Sequence, residues 1–77
     1  MELREISLMF EAGQLQEAII TPSPAGNGWW VEFKTLDETL VKLTDHSGVE
    51  KQFKDLDLAT HTAEELGFKT VRVEETF

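Results

Sequence analysis

The chain contains no cysteine or tyrosine and only seven basic residues. Without cysteine it can form neither disulfide bonds nor thiolate metal sites. No apolar run approaches the ~20 residues that cross a membrane as a helix. The segment 1–5 also lacks the basic region and apolar stretch of a signal peptide. We therefore expect a cytoplasmic protein that makes no contact with a membrane.

The length of 77 residues predicts a single domain over residues 1–77. A chain of this size buries only about 60% of its surface on folding. It therefore has room for one hydrophobic core and little room for an enclosed active site.

Charge is strongly one-sided, with fifteen acidic residues against seven basic ones and a net charge of −8. Affinity for nucleic acid comes mainly from Lys and Arg that neutralise phosphates, so we expect no direct nucleic-acid binding. One interpretation of the charge is solubility, because the lysines are interspersed among the acids. The other interpretation is that the charge serves to bind a basic partner, for which the chain would mimic DNA.

Alternating apolar and polar residues predict strands in six segments, at 3–11, 15–21, 29–34, 39–44, 49–53 and 69–74. The first two are close enough in sequence to form a hairpin. The segment 49–53 alternates weakly, so we expect it at a sheet edge. The segment 22–28, rich in Pro and Gly, predicts a loop.

The period changes to that of a helix after residue 54. Leu56, Ala59, Ala63 and Leu66 share one helical face. Asp55 is a suitable N-cap, and Gly67 suits the left-handed residue that follows a helix. We predict an α+β fold in which one helix packs on one face of an antiparallel sheet of about four to six strands, in the order ββββ(β)αβ.

Residues that carry enzyme chemistry are scarce. The two histidines, His46 and His61, are far apart in sequence and their spacing does not predict a shared metal site. Adjacent acids such as Asp37 and Glu38 fall in predicted turns, helix surfaces or the tail, where nothing would raise a pKa for acid–base work. We predict that the protein is not an enzyme and has no metal or cofactor.

The adjacent tryptophans are the strongest sign of a binding surface. Successive side chains of a strand point to opposite faces, so we expect Trp29 in the core and Trp30 on the open face. The residues predicted to contact a partner share that face, and they are Trp30, Glu32, Lys34 and Lys42. Met9, Ile20 and Leu40 are expected there too. The alternative is that Trp30 simply lies over lysine stems.

Several segments together resemble the ParC-type partition-associated proteins, a family of short proteins encoded on plasmids and integrative elements. The matching segments are Leu3–Ile6, Phe10–Gly13, Pro22–Pro24, Gly28–Trp29, Phe53–Ala59 and Leu66–Phe68. The resemblance implies an accessory role in plasmid maintenance or conjugation, exerted by protein contact. It implies no catalytic residue.

The sequence thus predicts a non-enzymatic protein-interaction module that acts through its sheet face. Its partner would be another protein or a second copy of the chain, as in a homodimer. The alternative is an acidic DNA mimic or inhibitor that occupies the basic cleft of a nucleic-acid-binding protein.

Overall fold

A computed structural model describes residues 1–24, 26 and 28–74. The sheet has the strand order β3-β2-β1-β4, and the fold is α+β with two helices. In chain order, the elements are α1 (Leu3–Glu11), β1 (Leu15–Pro22), β2 (Trp29–Thr35), β3 (Leu40–Lys42), α2 (Leu56–Leu66) and β4 (Val71–Val73). Within this part of the chain, neither helix is long and apolar enough to span a membrane.

The first element is a helix, so the predicted strand over 3–11 and its hairpin with 15–21 are wrong. Ile6 and Phe10, four residues apart, lie on one side of α1 and contact the core. Leu8, which the alternating pattern grouped with them, is 61% exposed. The Glu5 carboxylate accepts a hydrogen bond from the Glu2 N–H at 3.1 Å, which stabilises the first turn of the helix.

The hairpin of the fold is instead formed by β1 and β2. These strands are antiparallel, with Ala18 opposite Phe33 and Ile20 opposite Val31. Residues 23–28 connect them and fall within the predicted loop over 22–28, whose first residue, Pro22, belongs to β1. Residues 25 and 27 lie outside the described residues.

The last strand makes the sheet mixed, which corrects the prediction of an antiparallel sheet. β4 runs parallel to β1, with Ala18 beside Val71 and Ile20 beside Val73. Helix α2, which precedes β4 in the chain, contacts β1, β2 and β4. This is the usual crossover between parallel strands.

The segment between β3 and α2 forms isolated pairings rather than the predicted strand over 49–53. Thr44 pairs with Glu50, and Trp29 pairs with Phe53. Phe53 is nevertheless buried. The predicted strand over 39–44 is shorter than expected, although Val41 and Leu43 do face the core.

Helix α2 confirms the predicted caps. The Asp55 carboxylate accepts a hydrogen bond from the Leu58 N–H at 2.7 Å. Gly67 has a φ of 117°, in the left-handed region that favours glycine. A Cβ at this position would lie 2.6 Å from the Phe10 ring, so Gly67 also permits close packing of the two helices.

The core lies between the two helices and one face of the sheet. Phe68, just after α2, is buried between Phe10 and Phe33, with ring centroids 4.8 Å and 5.5 Å away. The other buried members of this cluster are Ile6, Ala18, Ile20, Val31, Leu43, Phe53, Ala59 and Ala63.

Candidate functional site on the open sheet face

The face of the sheet opposite the core carries a mixed polar and apolar surface, which we call the open face. The strand pairings place nine residues on it, and these are Glu17, Ile19, Thr21, Trp30, Glu32, Lys34, Leu40, Lys42 and Arg72. The buried helix residues belong to the cluster on the other face. In the described part of the chain, therefore, both helices pack on the core side.

All four residues predicted to contact a partner lie on the open face. Trp30, Glu32 and Lys34 alternate along β2, and Lys42 of β3 lies opposite Glu32. Trp29 packs against the core from the other side. The predicted faces of the two tryptophans are therefore confirmed, although both side chains are half-buried.

Lys42 and Trp30 are in direct contact. The Lys42 Nζ lies 4.2 Å from the centroid of the Trp30 ring, within the range of a cation–π interaction. The ammonium covers part of the indole, and Trp30 as a whole is half-buried. The prediction that Trp30 lies against a lysine side chain is confirmed, and contact with a partner stays a prediction.

The other two predicted residues have separate polar partners. Glu32 accepts a hydrogen bond from the Thr21 hydroxyl at 3.0 Å. Lys34 lies 3.7 Å from the carboxylate of Glu38, four residues later. Along β2, the open face therefore presents a negative and then a positive charge after the tryptophan, each in contact with a neighbouring side chain.

The centre of the open face is apolar and covered. Ile19 is only 3% exposed, although it lies on the side away from the core, between Glu32 on β2 and Arg72 on β4. Arg72 Nη2 forms an ion pair with the buried Oε1 of Glu17 at a distance of 3.0 Å. The long charged side chains thus cover an apolar residue, as amphipathic stems commonly do.

Two further members of the predicted open face are placed elsewhere. Met9 belongs to α1, because the segment that was expected to be a strand is a helix. Ile20 points into the core and Ile19 takes the place expected for it. Because Ile19 and Ile20 are adjacent and identical, the sequence does not indicate which of them faces the core.

Carboxylates are concentrated on the helical side of the molecule. Segments 2–11 and 55–66, which we call the helix layer, contain one arginine, Arg4, among many acids. Those acids are Glu2, Glu5, Glu11, Asp55, Asp57, Glu64 and Glu65. The helix layer is therefore strongly negative, whereas Lys34, Lys42 and Arg72 offset the acids of the open face.

The two histidines lie in separate elements of the fold. His61 Nε2 lies 2.8 Å from the Glu65 carboxylate on the exposed side of α2, and His46 lies in an exposed turn. Among the described residues, no group of three or more His, Cys, Asp or Glu side chains could hold a metal ion.

Two exposed aspartates stabilise turns. Backbone N–H groups of Ser47 and Val49 donate to Asp45 and lower the pKa of its carboxyl. The Thr35 hydroxyl, and then Thr39, do the same for the pKa of Asp37. Both carboxylates therefore favour their charged form, the opposite of what a general acid requires.

Comparisons with protein-family models, with curated proteins and with solved structures found no match. The open face is the best-defined candidate site on the described part of the molecule.

Proposed function

We propose that this protein is a non-enzymatic interaction module that binds another protein through the open face. The observation that carries the proposal is the half-buried Trp30 beside Lys42 on a sheet face that lies opposite both helices. Tryptophan is among the residues most enriched at the energetic centres of protein interfaces.

The Trp30–Lys42 pair suits a contact site because it is already held in place before binding. The indole is fixed by its strand, and the ammonium lies over the ring. A partner side chain can therefore pack on the indole with little loss of freedom on the protein side. Glu32 and Lys34 present charges of opposite sign beside it, which would orient the partner.

An accessory role in plasmid maintenance or conjugation is the biological setting that we propose, as the resemblance to ParC-type proteins implies. The net charge of −8 disfavours direct binding to DNA. The role would therefore be exerted on another protein of the same machinery.

A second candidate function is supported by the helix layer. Its exposed acids, including Asp57, Glu64 and Glu65, could imitate the phosphates of DNA in the basic cleft of a nucleic-acid-binding protein. In that case the partner would contact the helices, and its affinity would fall steeply with salt.

Affinity capture from a host lysate with three baits tests the proposal. The baits are the wild-type protein, Trp30→Ala, and Leu58→Ala as the control. Leu58 is 50% exposed on α2, away from the open face. We expect a specific protein that is retained by the wild type and by Leu58→Ala and is lost from Trp30→Ala.

A fourth bait, Glu11→Gln/Glu64→Gln/Glu65→Gln, tests the second candidate function. A DNA mimic predicts that the partner is lost from this bait, is lost from the wild type at high salt, and is retained by Trp30→Ala. That result would contradict binding through Trp30. Thermal unfolding of each bait shows whether a lost partner reflects a lost fold.

A further inference from the structure

The two edge strands of the sheet, β3 and β4, differ in the contacts of their outward-facing backbone groups. At the β3 edge, the Lys42 carbonyl accepts a hydrogen bond from the Met1 nitrogen at 3.2 Å. The Thr44 N–H donates to the Met1 carbonyl at 2.8 Å, and Glu2 pairs with Thr44. Residues 1 and 2 therefore occupy backbone groups of Lys42 and Thr44 at the end of this edge.

The β4 edge has the opposite character. The Glu74 N–H donates to the Ile20 carbonyl of β1 at 2.8 Å. Backbone groups alternate in direction along a strand, so Arg72 and Glu74 bond towards β1, while Val71 and Val73 direct their N–H and C=O groups away from the sheet. Val73 is also 37% exposed. Such an edge is a template for another strand.

We infer that β4 pairs antiparallel with β4 of a second copy, so that two four-stranded sheets become one. A two-fold axis perpendicular to the sheet relates the copies, which is the symmetry of most homodimers. This inference concerns the sheet edge and stands independently of the proposed contact at Trp30.

Charge selects the register of this pairing. If the axis passed through Arg72, the two copies of Arg72 would face each other and repel. If it passes through Val73, the two Val73 residues exchange N–H···O=C bonds, and Arg72 of each copy lies opposite Glu74 of the other. That second pair is of the non-hydrogen-bonded type, in which side chains are closest, so two ion pairs form across the axis.

The dimer would also double the open face. Arg72 and Glu74 lie 4.0 Å apart at their charged groups in one chain, on the same side as Trp30. A two-fold axis perpendicular to the sheet keeps both open faces on one side, so the dimer would present two Trp30 sites in one plane. A partner with two binding segments would then bind with higher avidity than a single site allows.

The pairing involves few residues, so the dimer should be weak. Stable interfaces bury about 1,200–2,000 Å² in total, more than an edge of three residues supplies. We expect a dissociation constant on the order of 100 μM, visible as a concentration-dependent rise in mass by sedimentation equilibrium.

The first variant that tests the inference is Val73→Pro. Proline removes the N–H that the second copy requires, and at an edge position that faces away from the sheet it leaves the bonds to β1 in place. We expect the association constant to fall about 10-fold or more, with Leu58→Ala as the unaffected control. Dimerisation that is unchanged by Val73→Pro would overturn the inference.

Two charge reversals test the register. Arg72→Glu alone and Glu74→Arg alone place like charges across the axis, so each variant should be monomeric. An equimolar mixture restores both ion pairs and should form heterodimers, while thermal unfolding confirms that each variant is folded. Three results would overturn the inference. They are homodimers of Glu74→Arg, no association in the mixture, and a wild-type protein that stays monomeric at every concentration.

Discussion

The Lys42 ammonium lies 4.2 Å from the centroid of the Trp30 indole, on the sheet face opposite the core. Glu32, the neighbour of Lys42 across the strands, is hydrogen-bonded to Thr21 instead. Lys42 therefore contacts the ring, while the carboxylate of its cross-strand partner has a different contact. This arrangement gives the open face a fixed aromatic surface beside a positive charge.

The Trp30–Lys42 contact should be measurable as a coupling energy. A double-mutant cycle with Trp30→Leu and Lys42→Met is expected to give about 0.5–1 kcal/mol at low salt. Lys42→Arg should retain most of it, because a guanidinium also packs on indole. A coupling of zero from urea unfolding at low salt would show that the two side chains do not stabilise each other.

The two tryptophans should differ in their effect on stability. Trp29 packs against the core cluster, so we expect Trp29→Ala to lower the free energy of unfolding by about 2–4 kcal/mol. Trp30→Ala removes a half-buried side chain from the open face and should cost about 1 kcal/mol. Chemical denaturation of both variants checks this order, and the reverse order would contradict the assigned faces.

Gly67 should not tolerate a side chain. Its φ of 117° opposes alanine, and so does the Phe10 ring, which would lie 2.6 Å from the added Cβ. We expect Gly67→Ala to destabilise the protein by about 2–4 kcal/mol. Gly13→Ala is the matched control, since Gly13 has a φ of 71° and no atom within 4 Å of the added Cβ.

That control should cost about 1 kcal/mol, because only backbone strain is added. Equal losses for Gly67→Ala and Gly13→Ala in thermal unfolding would show that the contact with Phe10 has no energetic weight.

Asp45 should contribute to the acid sensitivity of the fold. Its pKa is lowered in the folded protein by the N–H groups of Ser47 and Val49, so the folded state binds fewer protons than the unfolded state. The stabilisation is therefore present above the unfolded pKa, about 3.9, and is lost as the pH falls through the folded pKa.

Asp45→Asn removes this titration. We expect the variant to be less stable than the wild type at neutral pH and to lose less stability between about pH 5 and pH 2. Urea midpoints measured across that range check the prediction, and parallel pH profiles for the two proteins would contradict it.

Local signals in the sequence predicted some elements well. Asp55 and Gly67 mark the two ends of α2 through hydrogen bonds to backbone groups three residues away. The alternation from Trp29 to Phe33 placed one tryptophan on each face of β2. Such features depend on few neighbours, so the pattern of residues determines them.

The remaining features depend on longer-range packing. The apolar residues of segment 3–11 are compatible with two structures. In a strand, Ile6, Leu8 and Phe10 would share one face, whereas in a helix only Ile6 and Phe10 do. The direction of β4 depends on its pairing with β1, a strand distant in sequence. The contact of Lys42 with Trp30 depends on the register between β2 and β3, and the composition of these strands does not specify that register.

Site-specific photo-crosslinking in host cells tests the central claim most directly. The chain offers two leucines of similar exposure, Leu40 on the open face at 55% and Leu58 on α2 at 50%. Each is replaced in turn by a photo-reactive phenylalanine analogue, with and without Trp30→Ala. Binding through the open face predicts an adduct with a second protein from position 40 that disappears with Trp30→Ala. An adduct from position 58 alone, or none from position 40, would contradict it.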